Sequence, residues 1–100
     1  MILVLGHATA RPEHFDEVLR LSREHVARSR AEPGCLAHAV HRDTDDPLRL
    51  VFVEQWTDMA ALQVHFRVPA SREFGKALAA MAAEPPGLAL FDASALPLRP

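Results

Sequence analysis

The only cysteine of the chain lies in the segment EPGCLAHAVH, residues 32–41, with two histidines close behind it. A cysteine beside a histidine can act as a nucleophile with its base, or the two can bind a metal ion. Along a regular β-strand, however, side chains alternate between faces. Cys35 and His38 would then point to opposite faces, and His41 would lie about 20 Å from Cys35 at the usual rise per residue. The spacing therefore predicts neither a catalytic pair nor a zinc site, and we interpret Cys35 as a small buried residue at a strand start.

Three histidines are candidates for proton transfer. Leu62, His65 and Phe66 follow the i, i+3, i+4 spacing, which places His65 on or beside the inward face of a short helix. A partly desolvated imidazole there can accept a proton near neutral pH. His7 and His38 lie on apolar strand faces, and if helices cover those faces, both point into the space between sheet and helices. The sequence predicts His65 as the base, with His7 and His38 as alternatives, although each could equally be a hydrogen-bonded core residue.

Aromatic residues and one carboxylate are candidates for the wall of a binding pocket. Phe52, Glu54 and Trp56 alternate along one strand and therefore share a face. Glu54 among apolar neighbours needs a partner such as an arginine or a histidine. Phe66 and Phe74 are predicted to be pocket wall or core. All five residues have a structural alternative, either apolar packing or a structural ion pair.

The remaining polar clusters do not predict a metal site. His14 and His25 are eleven residues apart on one predicted helix, about 16 Å along its axis, and so cannot bind the same ion. Asp43, Asp45 and Asp46 form an acidic turn without the spacing of an EF-hand loop. We therefore expect no metal and no cofactor.

Proline and glycine divide the chain into segments with strand or helix patterns. Residues 93–100 are expected to be an extended tail of a single domain, residues 1–100. The predicted order β-α-β-β-α-β is that of the ferredoxin-like α+β fold, a four-stranded antiparallel sheet with helices on one face. The predicted elements are the strand Ile2–Ala10, the helix Pro12–Ala31, the strands Cys35–Arg42 and Leu48–Trp56, a short helix from Thr57 or Asp58 to Phe66, a helical stretch from Pro69, and the strand Gly87–Asp92.

Composition and strand patterning limit the possible partners. The 100 residues carry a formal net charge of −2, which gives no reason to expect nucleic-acid binding. No apolar run is long enough for a signal peptide or a membrane span, so we expect a soluble cytoplasmic protein. Residues 2–8 and 50–56 are apolar on both strand faces, whereas a two-layer domain should have one polar face. We therefore predict a homodimer in which a second copy covers the free face.

Several motifs, taken in order, resemble the antibiotic biosynthesis monooxygenase (ABM) family. A helix that ends in a turn similar to Glu32-Pro33-Gly34-Cys35 is typical of that family. The matching positions further along the chain are Asp43 and Pro47 in the turn, Glu54-Gln55-Trp56 in place of E-x-W, Ala61-Leu62-Gln63-Val64-His65 in place of A-L-x-x-H, and Phe74. An aromatic residue is common at the position of His38. The resemblance extends over roughly residues 1–92.

The resemblance implies a dimer whose two sheets pack into an α+β barrel. Members of the ABM family include monooxygenases without a cofactor that oxidise quinols and polyketide aromatics. The leading hypothesis is therefore oxidation of such a molecule by O₂. Haem-degrading relatives carry a histidine ligand in the region that here reads Ser71-Arg72-Glu73-Phe74-Gly75-Lys76, which contains none. Three further hypotheses compete with the oxygenase: a dimer that binds a small aromatic molecule without catalysis, an isomerase or lyase, and a haem-degrading enzyme, which the missing histidine disfavours.

Overall fold

The computed structural model describes residues 1–99; Pro100, the last residue of the predicted tail, lies outside the described residues. Its order, β-α-β-β-α-α-β, confirms the predicted α+β class and ferredoxin-like fold. The elements are β1 (Ile2–Thr9), α1 (Phe15–Arg30), β2 (Cys35–Arg42), β3 (Arg49–Trp56), α2 (Met59–Arg67), α3 (Pro69–Met81) and β4 (Gly87–Asp92).

Local sequence explains where the helices begin. A 3₁₀ turn at Pro12–His14 precedes α1, which starts at Phe15, three residues later than predicted. The Asp58 side chain accepts a hydrogen bond of 2.8 Å from the backbone N–H of Ala61 and thereby caps α2. Val68 is extended, with φ −62° and ψ 124°, as expected for a residue before proline, so the chain breaks between α2 and α3.

The sheet has the strand order β2-β3-β1-β4, with every neighbouring pair antiparallel. The central pair, β1 and β3, runs in register from Ile2 opposite Trp56 to Thr9 opposite Arg49. A register shift between Cys35 and Ala37 interrupts the pairing of β2 with β3. This β-bulge changes which side chains of β2 face the helices.

One face of the sheet packs on the helices and forms the core. The first cluster joins the two central strands, β1 and β3, to α1 and α3. It consists of Ala8, Ala10, Phe15, Val18, Leu50, Phe52 and Leu78. The second cluster lies under α2 and consists of Val4, Trp56 and Leu62, each fully buried. Burial of a side chain of this size contributes about 1.5–3 kcal/mol. The second cluster fixes α2 against the sheet.

The opposite sheet face carries no helix. Leu5 and Phe91 on this outer face are 39% and 48% exposed. None of the helices in residues 1–99 combines the length and the apolarity that a membrane crossing requires. The pairing register places these residues on the outer face: Leu3, Leu5, His7, Ala37, Ala39, His41, Val51, Val53, Gln55, Ala89 and Phe91.

Gly34 is required where α1 turns into β2. Its φ is +83°, and a Cβ atom there would lie 2.5 Å from Ala61 Cβ and 2.8 Å from Thr57 Oγ1. We expect Gly34→Ala to lower the free energy of unfolding by about 2–4 kcal/mol, because left-handed strain adds to overpacking against α2. Urea denaturation of the two proteins measures this difference.

Gly75 provides the matched control for that substitution. It lies within α3, and a Cβ atom there would have no neighbour within 4 Å. Gly75→Ala is expected to raise the free energy of unfolding by about 0.5–1 kcal/mol, because alanine is the better helix former. Equal effects of the two substitutions would show that the turn at Gly34 is not constrained as described.

Candidate functional site

Three buried histidines from three different elements meet beneath the helices. His25 of α1, His38 of β2 and His65 of α2 are 6%, 2% and 3% exposed. Their ring centroids are 5.3 Å apart for His25 and His38, 5.4 Å for His25 and His65, and 5.7 Å for His38 and His65. The three rings therefore form a nearly regular triangle, which we call the histidine triangle.

Each histidine owes its position to a different local feature. His25 lies on the buried stripe of α1, seven residues after Val18 and three after Ser22. The hydroxyl of Ser29 donates a hydrogen bond of 2.7 Å to the carbonyl of His25. His38 stands opposite Glu54 in the β2–β3 pair, and His65 is one turn after the buried Leu62 in α2.

A carboxylate orients His65. Its Nδ1 lies 2.9 Å from Oε1 of Glu32, which precedes the Pro33-Gly34 turn. A carboxylate at this distance accepts a hydrogen bond, so Nδ1 carries the proton of the neutral ring. The free lone pair of His65 is then on Nε2, the nitrogen that can accept a proton or bind a metal ion.

A second carboxylate, Glu54, is 5% exposed and lies beside His38. The indole Nε1–H of Trp56 donates a hydrogen bond of 3.0 Å to Oε1 of Glu54, and His38 Nε2 lies 3.2 Å from the same oxygen. The His38 ring is not well aligned for a hydrogen bond. Within residues 1–99, Nδ1 and Nε2 of His38 and Nδ1 of His25 are buried without a hydrogen-bond partner.

The protonation states follow from burial and neighbouring groups. Burial, and then the proximity of His38 and His65, lower the pKa of His25 to about 3, so its ring is neutral at pH 7. Burial acts to raise the pKa of Glu54, but His38, the Trp56 N–H and His65 stabilise its charged form and outweigh it. The net pKa of Glu54 is lowered, so this carboxylate is ionised at neutral pH.

A cavity of about 230 Å³ is lined by two of the three rings of the histidine triangle, those of His25 and His65. This volume exceeds the roughly 150 Å³ that admits a benzene molecule into an apolar protein cavity. His25 stacks on Phe74, one of the lining residues, with centroids 4.2 Å apart and an interplanar angle of 12°. The cavity can therefore hold a small aromatic molecule beside two imidazoles. Its other lining residues include Phe52, Glu54, Phe66, Ser71, Gly75, Leu78 and Leu88.

Most of the residues predicted from the sequence for the site do lie around this cavity. His65, Glu54, Phe52, Phe66 and Phe74 line it. Two others form the layer behind, where they hold Glu54 and His65 in place. These are His38, beside Glu54, and Trp56, whose ring centroid lies 4.6 Å from that of His65. The sequence predicted that Glu54 needs a partner such as an arginine or a histidine, and the structure places His38 beside it.

The condition under which His7 would face the helices is not met. Val4 and Ala8 of β1 are buried under the helices, so alternation turns His7 to the outer face. Its ring lies over Gly87 of β4, where a Cβ atom would be 2.2 Å from His7 Nε2. His7 borders the cavity at the edge formed by Gly87 but does not join the histidine triangle.

The expected orientation of Cys35 was wrong. The β-bulge places Cys35 opposite Trp56, on the same sheet face as His38, where it packs on the cluster under α2. Burial and the charges of Glu32 and Glu54 raise the pKa of its thiol. A protonated thiol is a weak nucleophile, which agrees with the structural interpretation of Cys35.

Sequence reasoning missed two residues of the site. His25 was considered only as a partner for His14, but its spacing from Val18 and Ser22 puts it on the apolar stripe of α1, which is the signal that could have found it. Glu32 was interpreted only as part of a turn motif. Its contact with His65 joins residues 33 apart, and no local pattern predicts such a pair.

Comparison with known proteins identifies the family. The family model described as antibiotic biosynthesis monooxygenase matches residues 1–77 of the chain. The chain belongs to the antibiotic biosynthesis monooxygenase family. The resemblance seen in the sequence motifs is thereby confirmed.

Solved structures of the ABM family and related proteins share the whole fold. A crystal structure of an antibiotic biosynthesis monooxygenase is 35% identical, with a TM-score of 0.88 over 95% of this chain and 100% of that chain. The protein PA3566 of Pseudomonas aeruginosa is 31% identical, with a TM-score of 0.84 over 94% of each chain.

A curated relative, an uncharacterized protein of Synechocystis, is 34% identical over 73 residues. The match spans 73% of this chain and 50% of the relative, so the ABM chain described here matches about half the length of that protein.

Proposed function

We propose that this ABM protein is a monooxygenase that uses O₂ without a cofactor to oxidise a small phenol, quinol or related enol. The observation that carries the proposal is the pair Glu32 and His65 at the wall of an apolar cavity. Membership of the ABM family supports the reaction class. The proposed substrate is a molecule of one or two aromatic rings, because the cavity volume is about 230 Å³ and its lining is rich in phenylalanine.

Proton removal is the first step assigned to the protein. With Nδ1–H held by Glu32, His65 can accept the substrate hydroxyl proton on Nε2, and Glu32 stabilises the resulting imidazolium. His65 is 3% exposed, so substrate and base meet away from bulk water. The protein thereby converts a hydroxyl group into an oxidisable anion within the cavity.

The later steps balance without a further reductant. The anion gives one electron to O₂, and the substrate radical and superoxide combine to form a C–O bond. The peroxide takes up the proton held by His65. Loss of water then breaks the O–O bond and the C–H bond at the same carbon and leaves a carbonyl, so the hydroxyl hydrogen, one C–H hydrogen and one O₂ become a new C=O group and H₂O. The cavity must supply an anion-tolerant, water-poor space for the peroxide.

The protein is further proposed to act as a homodimer through the outer sheet face. Val53 lies at the middle of that face, between Leu5 of β1 and Ala39 of β2. Uncovered apolar sheet faces of this kind mark association sites, and a two-fold dimer would cover the same face on both copies.

Oxygen uptake by metal-stripped protein tests the reaction. We expect a panel of hydroquinones, naphthols and polyketide-like phenols to include a compound that consumes one O₂ per product above its spontaneous rate. His65→Gln is expected to lower the enzymatic rate by about 10²–10⁴-fold, the usual contribution of a positioned base. Product that forms equally well without O₂ would identify an isomerase or lyase instead.

The matched control for this substitution is His14→Gln. His14 lies in the 3₁₀ turn Pro12–His14, outside the cavity lining and away from the outer sheet face, so its replacement should leave the rate unchanged. A rate that survives in His65→Gln would contradict the assignment of the base. Saturable binding of the panel compounds with no turnover under air would favour a binding protein over an enzyme.

A further inference from the structure

We propose that His25, His38 and His65 form a binding site for one divalent transition-metal ion of the zinc type. One ring nitrogen from each residue can be chosen so that all three lie within 4.8 Å of one another. The three residues come from α1, β2 and α2, which explains why no metal-binding spacing is present along the sequence. The proposal goes beyond the oxygenase function and does not depend on it.

The size of the triangle fits a metal ion at its centre. A zinc ion bound at about 2.0–2.1 Å from an imidazole nitrogen lies about 3.2 Å from the ring centroid. Three such rings have centroids about 5.2 Å apart at tetrahedral angles and about 5.5 Å apart at trigonal angles. The observed separations are 5.3, 5.4 and 5.7 Å. The rings are thus already as far apart as they would be around a bound ion.

The ring nitrogens need only a small rotation to converge. Ligand atoms around a tetrahedral zinc ion are about 3.4 Å apart, against at most 4.8 Å here. Rotation of an imidazole about its Cβ–Cγ bond covers this difference, because that torsion has a broad minimum in histidine. The backbone of the three elements can therefore stay where it is.

Unpartnered nitrogens distinguish this cluster from ordinary core histidines. In the described part of the chain, Nδ1 of His25 and Nδ1 of His38 are buried without a hydrogen-bond partner, whereas Nε2 of His38 faces Glu54. Buried polar atoms normally find partners, and each exception calls for an explanation such as an ion. A metal ion at the centre would give His25 and His38 the missing interaction.

Two carboxylates complete the site as an outer layer. Oε1 of Glu32 lies 2.9 Å from Nδ1 of His65, and Oε1 of Glu54 lies 3.2 Å from Nε2 of His38. Carboxylates in this position orient metal-binding histidines and strengthen them as ligands. Their two negative charges also balance the two positive charges of the ion, which three neutral imidazoles cannot do.

The ligand set indicates which ions fit. Three imidazoles suit Zn²⁺, Co²⁺, Ni²⁺ and Cu²⁺ better than the hard ions Mg²⁺ and Ca²⁺, which prefer oxygen. Three protein ligands leave a fourth position open. Since His25 and His65 line the cavity, a fourth ligand would come from that side. A bound ion would use the Nε2 lone pair of His65, so metal binding and proton acceptance by His65 exclude each other.

Titration of the stripped protein with Co²⁺ tests the site. Because Co²⁺ in tetrahedral sites absorbs visible light far more strongly than octahedral Co²⁺, we expect intense bands that saturate at one equivalent and disappear when Zn²⁺ is added. His25→Leu and His65→Gln should each weaken Co²⁺ binding at least 100-fold or abolish it. Glu32→Gln, which removes an outer-layer partner, should weaken it about 10–100-fold. Circular dichroism establishes that each variant is folded.

His14→Leu provides the control, because His14 lies in the 3₁₀ turn before α1, away from the histidine triangle and from the outer sheet face. It should bind Co²⁺ as tightly as the wild-type protein. Weak octahedral spectra, or equal affinity in the wild type, His25→Leu and His65→Gln, would overturn the proposal. Oxygen uptake is measured on metal-free protein, so a failure of the metal site leaves the proposed oxygenase function untouched.

Discussion

Val53→Asp is expected to convert the proposed dimer into a monomer. Val53 lies at the centre of the outer sheet face, next to Leu5 and Ala39 on the neighbouring strands. In a two-fold dimer the substitution buries an unpaired carboxylate from each copy, at a cost of at least about 4 kcal/mol in total. The dimer dissociation constant should therefore rise by about 10³-fold or more. Sedimentation equilibrium gives the mass, 11.0 kDa for the monomer.

Val64→Asp is the matched control for Val53→Asp. Val64 is 59% exposed and belongs to α2, on the other side of the sheet. The same chemical change there should leave the dimer intact. Dissociation of Val64→Asp with retention of the Val53→Asp dimer would place the interface on the helices and contradict the proposed assembly.

The second large effect concerns stability in acid. The pKa of His25 is about 3 in the folded protein, against an ordinary value of 6.5 in the unfolded chain. Below pH 6.5 the unfolded chain binds a proton at His25 that the folded protein does not bind. The contribution of His25 to the free energy of unfolding is therefore fully present above that pH and is lost as the pH falls toward 3. Between pH 7.5 and pH 5 this one residue should lower the free energy of unfolding by about 2 kcal/mol.

His25→Leu isolates that contribution. Between pH 7.5 and pH 5 the free energy of unfolding of the variant should fall by about 2 kcal/mol less than that of the wild type, because leucine takes up no proton. The other groups near His25, which are His38, His65, Glu54 and Arg28, are present in both proteins. The lowered pKa of Glu54 acts only below about pH 4.5, outside this interval.

Urea denaturation at the two pH values measures the difference, with His14 of the 3₁₀ turn replaced by leucine as the control. That control should show the wild-type pH dependence. Parallel loss of stability in the wild type and His25→Leu would mean that His25 is not held neutral by its surroundings.

The fold could be predicted closely because its signals are local. Pro69 interrupts the second helical region, the Gly87–Asp92 strand follows two prolines, and the apolar run that ends at Trp56 forms a central strand. Each of these depends on backbone restrictions or on strand propensity within a few residues. The apolar character of both sheet faces was also visible in the alternation, and the structure leaves one of those faces without a helix.

The site could be predicted only in part because its geometry is not local. His65 was found from helical periodicity, but its partner Glu32 lies 33 residues away and meets it only through the fold. The bulge at the start of β2 reversed the face of Cys35 relative to His38, since one extra residue shifts the alternation. For His7 the sequence left open which face of β1 the helices cover, because both faces of that strand are apolar. The histidine triangle needed α1, β2 and α2 to be placed together.

We propose above all that His65, oriented by Glu32, is the proton acceptor of the cavity. A double-mutant cycle of oxygen uptake by metal-free protein tests it most directly, with wild type, Glu32→Gln, His65→Gln and the double variant. If the two residues act as one unit, both single variants are slow, and the double variant is no slower than His65→Gln. A wild-type rate in Glu32→Gln, or effects that multiply in the double variant, would contradict the account.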